Sequence, residues 1–312
     1  MPALAATPCL VGPTGSGKSD AGVLLARAAG PGSEVISCDA FAVYRGMPIL
    51  TAAPDAPPDV PHRLVGILGP DEVYDAARFV TDADHYVARA READRAALIV
   101  GGTALYLRAW LKGFDMEAPR DDAYRAQLKE VVAREGPQRL HALLAEVDAE
   151  RAHELHPNDL RRIVRALEIH HVTGTPASAQ RVTWSGPDRV PARVVYLERS
   201  LDDLDRRIDA RTEAMFEAGL VEEVRELLAH PISPQARQVL GLAEVEALLA
   251  GTIDEAAAKA SIVRRTRRFA RKQGTFFRGF QGLVPLPVAP DEDAASIAKR
   301  ASKLLGLEQG VG

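Results

Sequence analysis

The residues best suited to chemistry lie near the start of the chain, in a stretch that fits the pattern G-x-x-x-x-G-K-[ST] at every fixed position. Its glycines let backbone N–H groups curl around an oxyanion, and the following helix directs its positive end at the charge. A lysine adds a cation, and the final hydroxyl can ligate Mg²⁺. The pattern predicts a di- or triphosphate site formed by Gly12, Pro13, Thr14, Gly15, Ser16, Gly17, Lys18 and Ser19, with Ser19 as the metal ligand.

Two polar residues follow apolar runs further along the chain. Asp39 ends the run 34–38, where a carboxylate is suited to act as a general base, to bind a metal or simply to hold a turn. Thr103 follows the run 96–100 and two glycines, which suit a close backbone approach to a ligand. Its hydroxyl can orient a substrate or cap the next helix. ATPases of the Walker type often place a Mg²⁺-binding aspartate at this point, and this chain has none there.

Basic residues form three clusters at helical spacing. The strongest shares one face and has few acids nearby in sequence, which favours a phosphate partner over a solvated surface: Arg264, Arg268, Arg271 and Lys272. The second, which also fits an ordinary amphipathic helix, contains Arg161, Arg162 and Arg165 around the apolar Ile163 and Val164. The third is Arg207 with Arg211, one turn apart, whose forked donors suit a diphosphate.

Alternating apolar runs and helical patterns must position these residues. They predict an α/β fold, a P-loop NTPase-like parallel sheet flanked by helices. Strands are expected at 8–11, 34–39, 63–68, 96–100 and 193–197, and the tail after 278 is polar and broken by prolines. The pattern is almost wholly helical over 114–173, with Asn158 or Asp159 as a helix cap. This order predicts a catalytic core of residues 1–113 and 191–312 and an inserted helical domain of residues 114–190.

Composition sets limits on function. The 312 residues are 46% hydrophobic and 26% charged, with a net charge of -4, which argues against a uniformly basic nucleic-acid binder. No stretch approaches the roughly 18 apolar residues that cross a membrane. The two cysteines, Cys9 and Cys38, lie in or beside apolar runs and offer neither a disulfide framework nor metal-site spacing. A protein of the reduced cytoplasm, with no membrane partner, is expected.

Seven segments, taken in order, resemble the tRNA dimethylallyltransferase (tRNA isopentenyltransferase) family along nearly the whole chain. The set is highly specific, although any one segment alone is not. The matching segments are Gly12–Ser19, Ser37–Met47, Pro61–Arg63, Gly101–Tyr106, His156–Glu168, Arg207–Met215 and Thr266–Gln273.

The resemblance implies transfer of a dimethylallyl group from its diphosphate to the exocyclic amine of the adenosine 3′ to a tRNA anticodon. The phosphate loop then holds the diphosphate leaving group with Mg²⁺. Asp39 matches the family's base, Thr103 a residue of the reaction channel, and Arg211 an arginine that neutralises the leaving group. The base must leave the anticodon loop stack. A monomer is implied, with tRNA contacts at Asp39, Ala40, Phe41, Ala42, Thr103, Arg125, Arg161, Arg162, Ile163, Val164, Arg165, Arg268 and Arg271.

The chain departs from the family pattern at several positions. Ala40 and Ala42 stand where the family often has serine and glutamine, and Ala53 where it has lysine, so substrate reading is more in question than the reaction. Three other functions share some of these features. They are a small-molecule kinase with the phosphate loop, an isopentenyltransferase acting on free adenine nucleotides, and a non-catalytic RNA-binding protein.

Overall fold

The computed structural model describes residues 6–113, 120–179 and 186–307. The chain divides into two compact units, one formed by Met1–Lys112 with Asp188–Gly312 and the other by Gly113–Pro187. Residues 114–119, where the predicted helical segment begins, lie outside the described residues.

A single sheet of six parallel strands forms the centre of the first unit, in the order β3-β2-β4-β1-β5-β6. Every residue of β1, β2 and β4 is buried, as expected for a parallel sheet with helices on both faces. The predicted α/β fold is confirmed. The strands are β1 Thr7–Val11, β2 Glu34–Cys38, β3 His62–Arg63, β4 Ala97–Gly101, β5 Ala192–Glu198 and β6 Val284–Pro287.

Among the described residues of the first unit, one helix follows each of β1 to β4 and β6, and four helices follow β5. The helices are α1 Lys18–Ala28, α2 Pro48–Thr51, α3 Ala76–Glu92, α4 Ala104–Lys112, α9 Leu201–Glu217, α10 Leu220–Leu228, α11 Leu242–Leu249, α12 Glu255–Arg278 and α13 Ala294–Leu305, with a 3₁₀ turn at Ala236–Gln238. Leu25 of α1 and Ile297 of α13 pack with Leu10, Leu98 and Val195 of the strands into one hydrophobic cluster. Burial of this kind stabilises by roughly 25 cal/mol per Å² of apolar surface.

The second unit contains four helices among its described residues: α5 Asp122–Glu135, α6 Pro137–Val147, α7 Ala149–Glu154 and α8 Leu160–Thr173. Their core contains Leu128, Leu140, Leu144, Ile163 and Leu167. Of the two residues expected to cap α8, Asp159 is the cap, because its side chain accepts a hydrogen bond from the backbone N–H of residue 162.

One sequence-based expectation was wrong, and one region contains more structure than the sequence indicated. The strand predicted at 63–68 extends only over His62–Arg63, because Leu64 adopts a left-handed φ of 64°, which a strand cannot continue. The tail after residue 278 also contains β6 and α13. The prolines of β6 are tolerated because this strand lies at the edge of the sheet, where fewer backbone donors are needed.

Candidate active site at the carboxyl ends of the strands

The carboxyl ends of three adjacent strands lie side by side. Gly101 at the end of β4 pairs with Val11 at the end of β1 and with Cys38 at the end of β2. The segments that leave these ends are the phosphate loop 12–19, the turn 39–42 and the loop 102–103. Open parallel sheets bind ligands at this edge.

The phosphate loop leads directly into α1. Gly17 is the N-cap of this helix, with a φ of 87° that residues other than glycine adopt at a cost. The Lys18 ammonium donates to the carbonyl of Pro13 at 3.2 Å, so it lies over the loop. There it would help to neutralise a bound anion. Ser19 occupies the first turn of α1.

Two arginines brace the loop through its carbonyl groups. Arg207 Nε donates to Gly15 O at 2.7 Å, and Arg199 Nε donates to Ser16 O at 2.9 Å. Arg199 is buried and also binds Asp203. Carbonyls held by these arginines cannot turn toward an anion, which favours the inward orientation of the N–H groups. Arg207, expected as half of a diphosphate-binding pair, thus binds the loop itself.

A glutamine of α12 joins the phosphate loop to the loop after β4. Gln273 Oε1 accepts from Thr14 N at 2.9 Å, and its Nε2 donates to Gly102 O at 2.9 Å. The glycines after β4 were expected to allow a ligand to approach. A Cβ on Gly101 would lie 2.1 Å from Cys38 O, and one on Gly102 would lie 2.6 Å from Gln273 Nε2. Both glycines are therefore required by the close packing of these loops. That a ligand also approaches them stays a prediction.

Asp39 and Thr103 are brought together, as the sequence predicts. Asp39 Oδ1 accepts from the backbone N–H groups of Phe41 and Ala42 at 2.9 and 3.1 Å. Thr103 Oγ1 accepts from Ala40 N at 3.1 Å, which ties the end of β4 to the same turn. Within the described part of the chain, Asp39 Oδ2 has no hydrogen-bond partner. One oxygen holds the turn, and the other remains available to a substrate.

Electrostatic coupling places Lys18, Asp39 and Arg211 around one site. Burial lowers the pKa of Lys18 to about 8, with Asp39 opposing this change and Arg211 adding to it. Burial also lowers the pKa of Arg211, against the attraction of Asp39. Arg211 Nε is buried and has no hydrogen-bond partner among the described residues. Two half-buried cations beside one carboxylate favour an anionic ligand.

The four arginines of the second unit that were predicted to contact tRNA fall into two groups, one paired with a buried carboxylate and one exposed. Arg125 donates twice to Glu168, at 2.6 and 2.7 Å, and Arg165 donates to the same carboxylate at 2.6 Å. Arg161 and Arg162 are exposed, and Arg162 pairs with Asp159. Arg125 and Arg165 thus stabilise the unit, and Arg161 and Arg162 remain on its surface.

Some predicted tRNA contacts have buried side chains. Ile163 is fully buried in the core of the second unit, and Val164 packs against that core. Ala42 is 3% exposed, whereas Ala40 and Phe41 are half-buried. The side chains of Ile163 and Ala42 thus serve packing, and the prediction that these residues contact tRNA is left to their backbone atoms.

The basic cluster of α12 has more acidic partners than the sequence suggests. Arg271 pairs with Asp205 of α9 at 2.8 Å, and Arg265 pairs with Glu244 of α11 at 2.6 Å. Arg268 and Lys272 are exposed. The few acids nearby in sequence were misleading because the partners come from other helices.

Other expectations concern cysteine and metals. Both cysteines are buried and free, as expected. Among the described residues, no group of three His, Cys, Asp or Glu side chains is arranged to hold a metal ion. No helix in the described ranges is long and apolar enough to cross a membrane.

These features define a class: an α/β protein of the P-loop type whose strand ends carry an anion site beside a carboxylate. The model of the IPP transferase family matches residues 42–280. A tRNA dimethylallyltransferase of Symbiobacterium thermophilum is 42% identical over 91% of this chain and 89% of its own. One of Myxococcus xanthus is 41% identical over 92% and 93%. The chain belongs to the IPP transferase family and is a transferase.

Solved structures agree with this assignment. The full-length tRNA isopentenylpyrophosphate transferase of Bacillus halodurans is 32% identical, with a TM-score of 0.69 over 97% of both chains. A eukaryotic dimethylallyltransferase acting on tRNA shares the fold, with a TM-score of 0.79 over 95% of this chain and 77% of that one.

Gln273, Arg199 and the structural function of Arg207 were missed by sequence reasoning. Gln273 lies within a segment that resembles the family, but helical spacing gives no indication that its amide reaches two loops. Arg199 follows β5 directly, and a single arginine after a strand is not a recognisable signal.

Proposed function

We propose that this protein transfers a dimethylallyl group from dimethylallyl diphosphate to the N6 amine of the adenosine 3′-adjacent to the anticodon in tRNA. The observation that carries the proposal is Asp39 Oδ2, which has no hydrogen-bond partner among the described residues. It shares one site with Lys18 and with Arg211, whose Nε also has no partner in those ranges. A phosphate loop alone would fit many reactions. A carboxylate that lies beside this loop and is free to accept a proton suits a transfer that releases diphosphate. The names of the relatives support the same reaction.

The reaction breaks the allylic C–O bond of the diphosphate and forms a C–N bond to the adenine amine. The amine is a weak nucleophile because its lone pair is delocalised, so the leaving group must be neutralised as the C–O bond breaks. Loop N–H groups, Lys18 and Arg211 meet the charge that develops on the diphosphate. The Oδ2 of Asp39 accepts the proton that the amine loses.

The hydrogen bonds of Asp39 Oδ1 define how this base is aimed. The amides of Phe41 and Ala42 fix one oxygen, so the other oxygen points in one direction. Thr103 fixes the turn from the opposite side through Ala40 N. A base held in this way needs little reorganisation when the substrate amine arrives.

The site fits an Mg²⁺ ion that would be bound jointly by the protein and by the diphosphate of the substrate. Mg²⁺ in phosphoryl sites takes one or two protein ligands and several phosphate and water oxygens. The hydroxyl of Ser19, next to Lys18 at the start of α1, would be such a single ligand. The ion would supply additional neutralisation of the diphosphate.

The target adenosine lies in an anticodon stem-loop and must leave its stack to reach Asp39. The exposed Arg161 and Arg162 of the second unit, and Arg268 of α12, are the arginines best placed to contact RNA phosphates. We expect the enzyme to act as a monomer in the cytoplasm.

The test uses labelled dimethylallyl diphosphate, Mg²⁺ and unmodified tRNA, followed by mass spectrometry of anticodon fragments. Asp39→Asn is the informative variant, because its amide oxygen can still accept from residues 41 and 42 while the base is lost. Transfer should fall by at least about 10²-fold. Full activity in this variant would mean that Asp39 only holds the turn.

Parallel reactions separate the other functions. AMP offered in competition with tRNA reports an enzyme acting on free nucleotides, and labelled ATP reports a kinase. Label in AMP or phosphate transfer from ATP, with none in tRNA, would contradict the proposal.

A further inference from the structure

Gln273 is the one described side chain found to hydrogen-bond both the phosphate loop and the loop after β4. It lies on the buried face of α12 and is 6% exposed. Its amide oxygen accepts from Thr14 N and its amide nitrogen donates to Gly102 O, both at 2.9 Å. Both partners are backbone groups, so the contact depends on the paths of the loops and not on their side chains.

The two loops carry opposite ends of the reaction. Thr14 belongs to the loop that holds the diphosphate. Gly102 precedes Thr103, whose hydroxyl holds Ala40 N in the turn of the base. A path of hydrogen bonds and peptide links therefore runs from the phosphate loop through Gln273 to the loop 102–103. From there it reaches the turn of Asp39 through the hydroxyl of Thr103.

We propose that Gln273 is a positioning residue for the prenyl transfer: its amide sets the distance between the diphosphate and the Asp39 base. This inference rests on the proposed function. It assigns Gln273 no contact with substrate. Misplacing reacting groups by about 1 Å costs on the order of 10²-fold in rate, so a single misplaced loop has a measurable effect.

The chemistry of the contact requires a glutamine. One end must accept a hydrogen bond and the other must donate one, which only a primary amide does at this reach. Methionine has a similar volume but offers no such pair. Asparagine keeps the amide but is one methylene shorter, so it cannot reach both Thr14 N and Gly102 O. A packing function would tolerate methionine, and a polarity function would tolerate asparagine.

The experiment compares Gln273→Met and Gln273→Asn with the wild-type enzyme. Gln238→Met is the matched control, since it makes the same substitution at an exposed glutamine whose amide donates to Pro234 O. Measured quantities are kcat and KM for prenyl transfer, thermal unfolding, and calorimetric binding of inorganic pyrophosphate with Mg²⁺. Both Gln273 variants should lose at least about 10-fold in kcat, with a smaller change in the KM for tRNA. The control should match the wild type.

Pyrophosphate binding tests the inference separately from the proposed reaction. Without the hydrogen bond from Thr14 N to residue 273, the phosphate loop of both variants should bind pyrophosphate several-fold more weakly. Binding is measured at temperatures where unfolding curves show both variants folded. Unchanged kcat and unchanged pyrophosphate affinity in either variant would overturn the inference. If the wild type transfers no prenyl group, the proposed function fails, and the pyrophosphate affinities still decide whether Gln273 sets the loop.

Discussion

Arginines in the two units of this protein have opposite surroundings. In the helical unit, Arg125 and Arg165 share the fully buried carboxylate of Glu168. In the unit with the sheet, Arg211 has a buried Nε without a partner in the described ranges, near the cation of Lys18. Both groups were predicted to meet phosphates on the basis of charge and spacing.

The difference separates cations that build the fold from cations that bind a ligand. Burial opposes ionisation of Glu168, but hydrogen bonds from Arg125, Arg165 and the N–H of Asp121 outweigh it and lower its pKa to about 2. That set is electrostatically complete. Arg211 is attracted by Asp39, but its Nε has no hydrogen-bond partner among the described residues, and an unsatisfied buried donor costs about 1–3 kcal/mol. An anion would satisfy both Arg211 and Lys18, so the incomplete set marks the binding site.

The largest expected effect comes from removing the shared carboxylate. Glu168→Ala would leave two arginines around an uncompensated buried space and should lower the free energy of unfolding by about 3–5 kcal/mol. Denaturant unfolding measures this loss. Glu135→Ala removes an exposed partner of Arg139 in the same unit and should cost at most about 1 kcal/mol.

Acid should have the same effect as this substitution. The pKa of Glu168 is lower in the folded protein than in the unfolded chain, so its contribution is complete above about pH 4.5 and is lost as the pH falls towards 2. Equal stabilities of wild type and Glu168→Ala at neutral pH would contradict the conclusion that Arg125 and Arg165 stabilise the fold through Glu168.

The next effect comes from the unpartnered cation. Arg211→Met should reduce prenyl transfer about 10²–10³-fold, as for loss of one donor to a developing charge. It should not lower the melting temperature, because it removes a buried Nε that has no hydrogen-bond partner among the described residues. Arg206→Met, at an exposed arginine of the same helix, is the control. A clear loss of stability in Arg211→Met would assign this residue to the fold.

A smaller effect concerns pH and Lys18. Because the pKa of Lys18 is lowered to about 8, the amine loses its charge as the pH rises through that value, and pyrophosphate affinity should fall by about 10-fold. Calorimetry between pH 7 and 9.5 measures this. Lys18→Met binds weakly at every pH and retains only the titration of pyrophosphate itself. The same pH profile in both proteins would exclude Lys18 as the titrating group.

The smallest effect separates surface arginines. Arg161→Ala should weaken tRNA binding by about 1 kcal/mol or less and reduce the slope of log affinity against log salt by about 1. Filter binding over a range of salt concentrations tests this. Arg139→Ala, an exposed arginine of the same unit paired with Glu135 and Glu146, should change neither quantity. Identical salt slopes for Arg161→Ala and the wild type would remove Arg161 from the RNA contacts.

Local spacing was sufficient for much of the fold. The phosphate loop, four of the strands and the helical segment follow from patterns within a few residues of one another. Asp39 and Thr103 were predicted to converge because parallel strands end at one edge, and Thr103 Oγ1 does bind Ala40 N. Missed elements, such as β6, carry prolines that mark an edge strand only when the order of the sheet is known.

Partners distant in sequence were beyond prediction. Arg125 and Glu168 are 43 residues apart, and Gln273 and Thr14 are 259 apart. A basic residue on a helix has the same spacing whether its partner is a phosphate or a carboxylate from another helix. Arg271 illustrates this ambiguity, since Asp205 comes from α9. Burial and pairing decide between the two, and both arise only in the folded chain.

In each of the three hydrogen bonds that hold the turn of Asp39, the donor is a backbone N–H group, at residue 40, 41 or 42. Any L-amino acid other than proline supplies the same amides. Substitutions at residues 40 and 41, whose side chains are only half-buried, can therefore accumulate without misdirecting the carboxylate. Natural variation in this turn should alter which nucleotides are accepted while the bond-forming step survives.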